Sequence, residues 1–96
     1  MQIRGVELDF RLYDEDKADV KNRYFEELKK MGEIKKEMPS GTEAEKNRYL
    51  CSRIKGMFDN VFGEGTGEAV CGDGNDLLMH LDAYGQLVTE QIRQNE

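Results

Sequence analysis

The feature that most constrains the fold is a set of apolar residues repeated at helical spacing in the middle of the chain. These residues recur at steps of three and four, and they are Leu50, Ile54, Met57, Phe58, Val61 and Phe62. A helix has about 3.6 residues per turn, so the six side chains share one face, and that face must be buried. The chain is therefore expected to be organised around one amphipathic helix that other elements cover.

The same periodicity predicts three helices in all, over residues 14–37, 42–62 and 76–94. The first ends before Pro39, because a residue that precedes proline avoids helical backbone angles. The second begins at Thr42, within two residues, because Thr42 and Ser40 are each followed three positions later by a glutamate and fit a capping box equally well. The result is a mainly helical protein.

Several individual positions in these helices carry their own expectations. Gly56, inside the second helix, is predicted to mark the close approach of a neighbouring helix. His80 has no acid or nucleophile at a meaningful spacing, so we expect a surface or interface side chain and not a catalytic base. The stripe of the third helix that is predicted to face the core contains Leu77, Leu81, Tyr84, Val88 and Ile92, widened by Leu78 and Leu87.

The first twelve residues have a different period. Apolar Val6, Leu8, Phe10 and Leu12 alternate with Glu7, Asp9 and Arg11. Alternation with a period of two is typical of a strand with one buried face, and a tight turn at Arg4-Gly5 would bring Ile3 back against it. We therefore predict a β-hairpin over residues 1–12. A lone hairpin is only marginally stable in water, so it must either pack against the helices or pair its edge strand with another chain.

Residues 63–75 form a connector rich in glycine and acidic residues. No lysine follows the glycines, which argues against a phosphate loop. Leu78 stands where a calcium loop beginning at Asp73 needs glycine, which argues against an EF-hand. The pattern instead predicts one helical turn, capped by Thr66 and closed by Gly72, before a third helix capped by Asp73 or Asn75.

These elements predict a single domain over residues 1–96, mainly α, in which a three-helix bundle carries a short N-terminal β-hairpin. Cys51 and Cys71 have neither the spacing nor the histidine partners of a zinc site or a disulfide framework, so we expect reduced, packed thiols, as in an intracellular protein. The chain shows no secretory pattern and no run of eighteen apolar residues, and we expect a cytoplasmic protein that does not contact a membrane.

Charge is distributed unevenly along the chain. The net charge is −6, and within residues 57–96 Arg93 is the one basic side chain among eight acidic ones. This bipolarity argues against direct nucleic-acid binding, and it favours contact between copies or with a basic partner. No nucleophile with a base, no isolated carboxylate pair and no cofactor fingerprint is present, so the sequence predicts no enzyme, no cofactor and no metal.

Two segments carry a resemblance to a known group of proteins. Residues 3–14 read Ile-Arg-Gly-Val-Glu-Leu-Asp-Phe-Arg-Leu-Tyr-Asp, and residues 57–78 run from Met-Phe-Asp-Asn-Val-Phe-Gly to Asn-Asp-Leu-Leu. They resemble small proteins encoded among the tail genes of phages and prophages of Gram-positive bacteria, and in particular tail assembly chaperones. The resemblance implies a non-enzymatic protein in the host bacterium's cytoplasm that binds a phage tail protein and needs no cofactor.

On this hypothesis the candidate partner-binding residues fall into three groups. The hairpin supplies Ile3, Val6, Leu8 and Phe10, the second helix supplies Phe58 and Phe62, and the acidic connector supplies Glu68, Asp73 and Asp76. Two alternatives remain open. The acidic residues could let a phage anti-defence protein occupy the basic groove of a host nuclease, where phosphates would sit, or the chain could be an oligomeric virion subunit that joins its basic half to the next copy's acidic half.

Overall fold

Helices account for 70% of the chain in a computed structural model, which describes all of residues 1–96. A short antiparallel sheet precedes them. The elements are β1 (Gln2–Ile3), β2 (Val6–Glu7), α1 (Ala18–Gly32), α2 (Ile34–Glu37), α3 (Glu43–Phe62), α4 (Thr66–Cys71) and α5 (Leu77–Asn95), with a 3-10 turn at Glu15–Lys17. The expected helix-dominated fold with a small N-terminal sheet is confirmed, but there are five α-helices and not three.

The central helix α3 begins and ends as its sequence predicts. Thr42 Oγ1 accepts a hydrogen bond from the backbone N–H of Glu45 at 3.2 Å. Gly63 ends the helix with a φ of +119°, a conformation that favours glycine. Helices α1, α4 and α5 all pack against α3. The buried residues of α3 are Cys51, Ile54, Met57, Phe58 and Val61.

The first predicted helix is divided into three parts. Asp14 caps the 3-10 turn by accepting from the N–H of Asp16, and α1 follows. The chain leaves helical geometry at Glu33, whose N–H donates to Lys30 O at 3.1 Å, and α2 is a separate short helix. The glycine at position 32 explains the break, because glycine is a poor helix former and lowers the cost of leaving the helix.

The sheet is shorter than predicted, and a tight turn joins its two strands. Ile3 pairs with Val6, while Arg4 and Gly5 have φ values of 51° and 79°. Two successive residues with positive φ are typical of the turns that join two-residue hairpins. Beyond β2, Leu8 continues the pairing with the N-terminal residue, since its N–H donates to Met1 O at 2.8 Å.

Residues 8–12 are not a strand, yet they keep the alternating burial of one. Leu8, Phe10 and Leu12 are buried, and the two charged residues between them are exposed. The Phe10 ring lies 4.9 Å from the Tyr24 ring and 5.6 Å from the Phe62 ring, both in edge-to-face geometry. The N-terminal segment therefore supplies one wall of the core between α1 and α3.

The glycine that marks a close approach between helices is Gly67 and not Gly56. A Cβ atom at Gly67 would lie 2.4 Å from Lys55 O, whereas one at Gly56 would meet nothing within 4 Å. The N–H of Gly67 also donates to Asp59 Oδ1 at 2.7 Å, so α3 supplies a side-chain acceptor for the first turn of α4. The residue before α4 is Gly65, with φ +92°, and the predicted cap Thr66 is the helix's first residue.

These two glycines make a matched stability test. Gly67→Ala should lower the free energy of unfolding by about 2–3 kcal/mol, because the methyl group would overlap the α3 backbone. Gly56→Ala should raise it by about 0.5–1 kcal/mol, because the space is open and alanine is the better helix former. Urea denaturation followed by circular dichroism measures both values, and a stabilising Gly67→Ala would contradict the close contact.

Candidate functional site

Helix α5 is rotated relative to the orientation that its apolar pattern suggested. Its buried residues are His80, Ala83 and Leu87. Leu78, Leu81 and Ile92 are instead 78%, 45% and 54% exposed. The apolar arc of α5 is wider than the core surface available to it, so one part of the arc packs inward and the other part faces solvent.

His80 is the clearest consequence of this rotation. The sequence suggested a surface or interface side chain, but the imidazole is fully buried. Its Nδ1 lies 2.6 Å from Asp76 O, while its Nε2 has no hydrogen-bond partner. Asp76, and not Asp73 or Asn75, caps α5, because its Oδ1 accepts from the N–H of Leu78 at 3.1 Å and of Met79 at 3.3 Å.

The exposed apolar residues of α5 lie in one line along the helix. Leu78, Leu81, Gly85 and Ile92 are separated by three, four and seven residues, and these spacings place them on one face. We call this set the outer stripe. Of the five large apolar side chains that are exposed in the protein, three belong to it, and the other two are Tyr13 and Phe25.

A groove of about 630 Å³ runs beside the outer stripe, between α5 and the N-terminal residues. Gly85 forms part of its floor, and a Cβ atom there would meet nothing within 4 Å. Its lining residues are Met1, Gln2, Leu81, Asp82, Gly85, Gln86, Thr89 and Glu90.

The end of α5 is tied to the N-terminal segment by one amide side chain. Gln94 Nε2 donates to Phe10 O at 2.6 Å, and Gln94 Oε1 accepts from the N–H of Leu12 at 2.9 Å. The amide thus bonds the extended segment as a neighbouring strand would. Tyr13 adds a hydrogen bond from its hydroxyl to Asn95 Oδ1. A cleft of about 830 Å³ opens next to this junction.

Charged pairs surround the junction. Arg93 donates two hydrogen bonds to the Glu90 carboxylate, at 2.8 and 2.6 Å, and with the Gln94 amide it lowers the pKa of Glu90 to about 2. Arg11, aided by Lys17, likewise lowers the pKa of Asp9 to about 2. Both carboxylates are ionised at neutral pH.

Most of the apolar residues predicted to bind a partner lie in the core. Ile3, Leu8, Phe10 and Phe58 are at most 4% exposed, so they are not available to another molecule in this structure. The physical reason is that the N-terminal segment lays its apolar side on α1 and α3. Val6 and Phe62 are half-buried and line a cleft of about 320 Å³.

The acidic candidates Glu68, Asp73 and Asp76 are all exposed. They lie on α4 and on the connection to α5. Lys55 reaches this connection and donates to Gly74 O at 2.7 Å. No group of three or more His, Cys, Asp and Glu side chains is placed to hold a metal ion.

The two cysteines are buried, free thiols, as the sequence predicted. Burial raises the pKa of Cys71 to about 11 and also raises the pKa of Cys51. Both thiols are therefore protonated at neutral pH, and a protonated thiol is a poor nucleophile.

The sequence does not predict the outer stripe, because its apolar periodicity places Leu78, Leu81 and Ile92 on the core-facing side of α5. A signal was nevertheless present in the sequence. The apolar residues of α5 cover much more than one narrow stripe of the helix, and a helix at the surface of a small protein buries only part of such an arc.

The fold and this surface define a small helix-dominated protein with an uncovered apolar helix face. The chain belongs to DUF6673, a family of unknown function, which it matches over residues 4–96. Comparison with curated proteins and with solved structures finds no match. None of the helices combines the length and the apolar character that crossing a membrane requires.

The pair of Glu90 and Arg93 should make stability depend on pH in a defined window. The folded pKa of Glu90, about 2, lies below its ordinary value of 4.5, so this stabilisation is present above pH 4.5 and is lost as the pH falls towards 2. Glu90→Gln should flatten the curve of unfolding free energy against pH between these values. Arg93→Gln should do the same, and an unchanged slope in both variants would contradict the pairing.

Proposed function

We propose that this protein works by binding another protein through the outer stripe and that it catalyses no reaction. The observation that supports this most directly is the exposure of Leu78, Leu81 and Ile92 on one helix face. Exposing such residues to water is unfavourable, at roughly 25 cal/mol per Å² of apolar surface. A clustered apolar patch on a small protein commonly marks a surface that another molecule covers.

The shape of this surface favours a helical ligand. The outer stripe is straight, and the groove beside it runs along α5 with Gly85 in its floor. Amphipathic helices bind such grooves with apolar residues spaced by three, four and seven positions. We therefore expect the partner to offer an amphipathic helix rather than an added β-strand.

The resemblance to tail assembly chaperones supplies the identity of the partner in this proposal. A phage tail protein awaiting assembly exposes apolar segments, and a small cytoplasmic protein with an open apolar face would cover them reversibly. Neither a cofactor nor a metal is needed for this role.

The chemistry of the interior agrees with a role in binding. The thiols of Cys51 and Cys71 are buried and protonated, and the His80 imidazole is fully enclosed, so none of them can meet a substrate at the surface. The carboxylate side chains of the protein are either partly or fully exposed to solvent, or paired with basic side chains. We therefore assign the function to a surface and not to a reactive group.

A double substitution in the outer stripe tests the proposal. Leu81→Asp with Ile92→Asp should weaken binding of a tail protein recovered from phage-infected cells by more than about 30-fold, since hot-spot residues contribute 2 kcal/mol or more. Stability should change little, because both side chains are already half exposed. Calorimetric titration of the purified pair measures affinity, and Phe25→Asp, on α1 and 37% exposed, is the matched control. Equal affinity in the double variant and the wild type would contradict the proposal.

A second candidate function is supported by the exposure of the acidic residues on α4 and on its connection to α5. If the protein occupies the basic groove of a host nuclease, neutralising Glu68→Gln, Asp73→Asn and Asp76→Asn together should abolish inhibition, and added salt should weaken it. Asparagine at position 76 retains a helix cap, so the fold should survive. Binding through the outer stripe should be unaffected by these three changes, which separates the two functions.

A further inference from the structure

We propose that, in the absence of a partner, the outer stripe is covered by α5 of a second copy of this chain. The two helices would run antiparallel around a twofold axis that passes Gly85. The inference rests on the proposed function only in that both use the same stripe. A partner protein would then have to displace the second copy.

The register of the stripe is self-complementary about Gly85. Leu78 stands seven residues before this glycine and Ile92 stands seven after it, so in an antiparallel pair each lies level with the other in the second copy. Leu81 is four residues before Gly85 and Val88 is three after it, so these two also meet across the axis. Every exposed leucine or isoleucine of the stripe thereby gains an apolar neighbour.

Gly85 itself has no packing role within a single copy. A Cβ atom there would meet nothing within 4 Å, and a glycine inside a helix costs about 1 kcal/mol relative to alanine. At the centre of the proposed pair the two backbones come closest, and a residue without a side chain permits that approach. The second copy thus accounts for a glycine that the isolated fold does not require.

Charge complementarity selects the antiparallel arrangement. Asp82 and Arg93 lie on the same flank of the outer stripe. In the antiparallel pair the Asp82 of one copy is offset from the Arg93 of the other by about five residues, which is about 7.5 Å along the helix axis at 1.5 Å per residue. An arginine side chain spans that offset, and the symmetry creates two such pairs. In a parallel pair each flank would face the opposite flank of the second copy, so Asp82 would have no Arg93 beside it.

The contact is expected to be weak. One pair of helices offers less surface than the roughly 1,200–2,000 Å² of stable interfaces. We therefore expect a reversible dimer with a dissociation constant on the order of 10 µM, corresponding to about 7 kcal/mol. A contact of this strength covers the stripe at high concentration and yields to a tighter partner.

Cysteine cross-linking tests both the contact and its direction. The native thiols of Cys51 and Cys71 are buried, so an introduced cysteine is the accessible one. Under mild oxidation Gly85→Cys should form a disulfide-linked dimer. Leu78→Cys mixed with a tagged Ile92→Cys should form a mixed dimer, whereas Leu78→Cys alone should not, because its two copies would lie about 21 Å apart along the axis. Lys29→Cys, exposed on α1, is the control that should stay monomeric.

Sedimentation equilibrium of the unmodified protein completes the test. The average mass should rise from monomer to dimer with concentration, and Leu81→Asp with Ile92→Asp should remain monomeric. Cross-linking of Leu78→Cys with itself would overturn the antiparallel dimer, as would a monomer at every concentration without specific cross-links. Those results would leave partner binding at the stripe untouched. A dimer in which the double variant still binds the tail protein would refute the proposed function instead.

Discussion

The packing of Phe10 between Tyr24 and Phe62 is the contact on which the rest of the structure depends. It joins the N-terminal segment to α1 and α3 through two edge-to-face aromatic pairs. Such pairs contribute about 0.5–1.5 kcal/mol each beyond the burial of their surface. Gln94 then holds the same segment against α5 through two backbone hydrogen bonds. One short extended stretch thereby links three helices that are far apart in the sequence.

This contact also decides which apolar residues remain exposed. Because the N-terminal segment turns Leu8, Phe10 and Leu12 inward, the apolar side of the predicted hairpin is buried in the core and is not available for binding. Helix α5 approaches the same core with His80, Ala83 and Leu87. A chain of 96 residues has a small interior, and it cannot cover the whole apolar arc of its last helix. The uncovered part is the outer stripe.

The two thiols and the one imidazole lie in the interior, whereas three of the large apolar side chains of α5 lie on the surface. The thiols are buried in protonated form, and Glu27, a mostly buried carboxylate, is bonded by Lys30 and Asn60. These groups are packed or hydrogen-bonded inside the fold. The exposed side of α5, by contrast, combines apolar side chains, an open groove and a glycine without a packing role. That separation is why we propose a role in protein binding.

The sequence by itself determined the features that depend on neighbours along the chain. The start of α3 at Thr42, its end at Gly63 and the turn at Arg4-Gly5 all follow from capping and positive-φ preferences, which act within a few residues. The sequence also predicted packed, reduced thiols at Cys51 and Cys71, because these residues lack the spacing and the histidine partners of a zinc site or a disulfide framework. The extended, one-sided character of residues 8–12 was also predictable from their alternation.

Only the tertiary structure decided which part of each apolar arc is buried. Periodicity places the apolar residues of α5 on an arc about half of the helix wide, with Leu78 and Leu87 at its two edges. The rotation of the helix depends on what α3 and the N-terminal segment leave uncovered. The burial of His80 and the contact of Gly67 with Lys55 depend in the same way on residues distant in the sequence. Local preferences specify where a helix begins and ends, whereas the face that it buries is set by the shape of the surface it packs against.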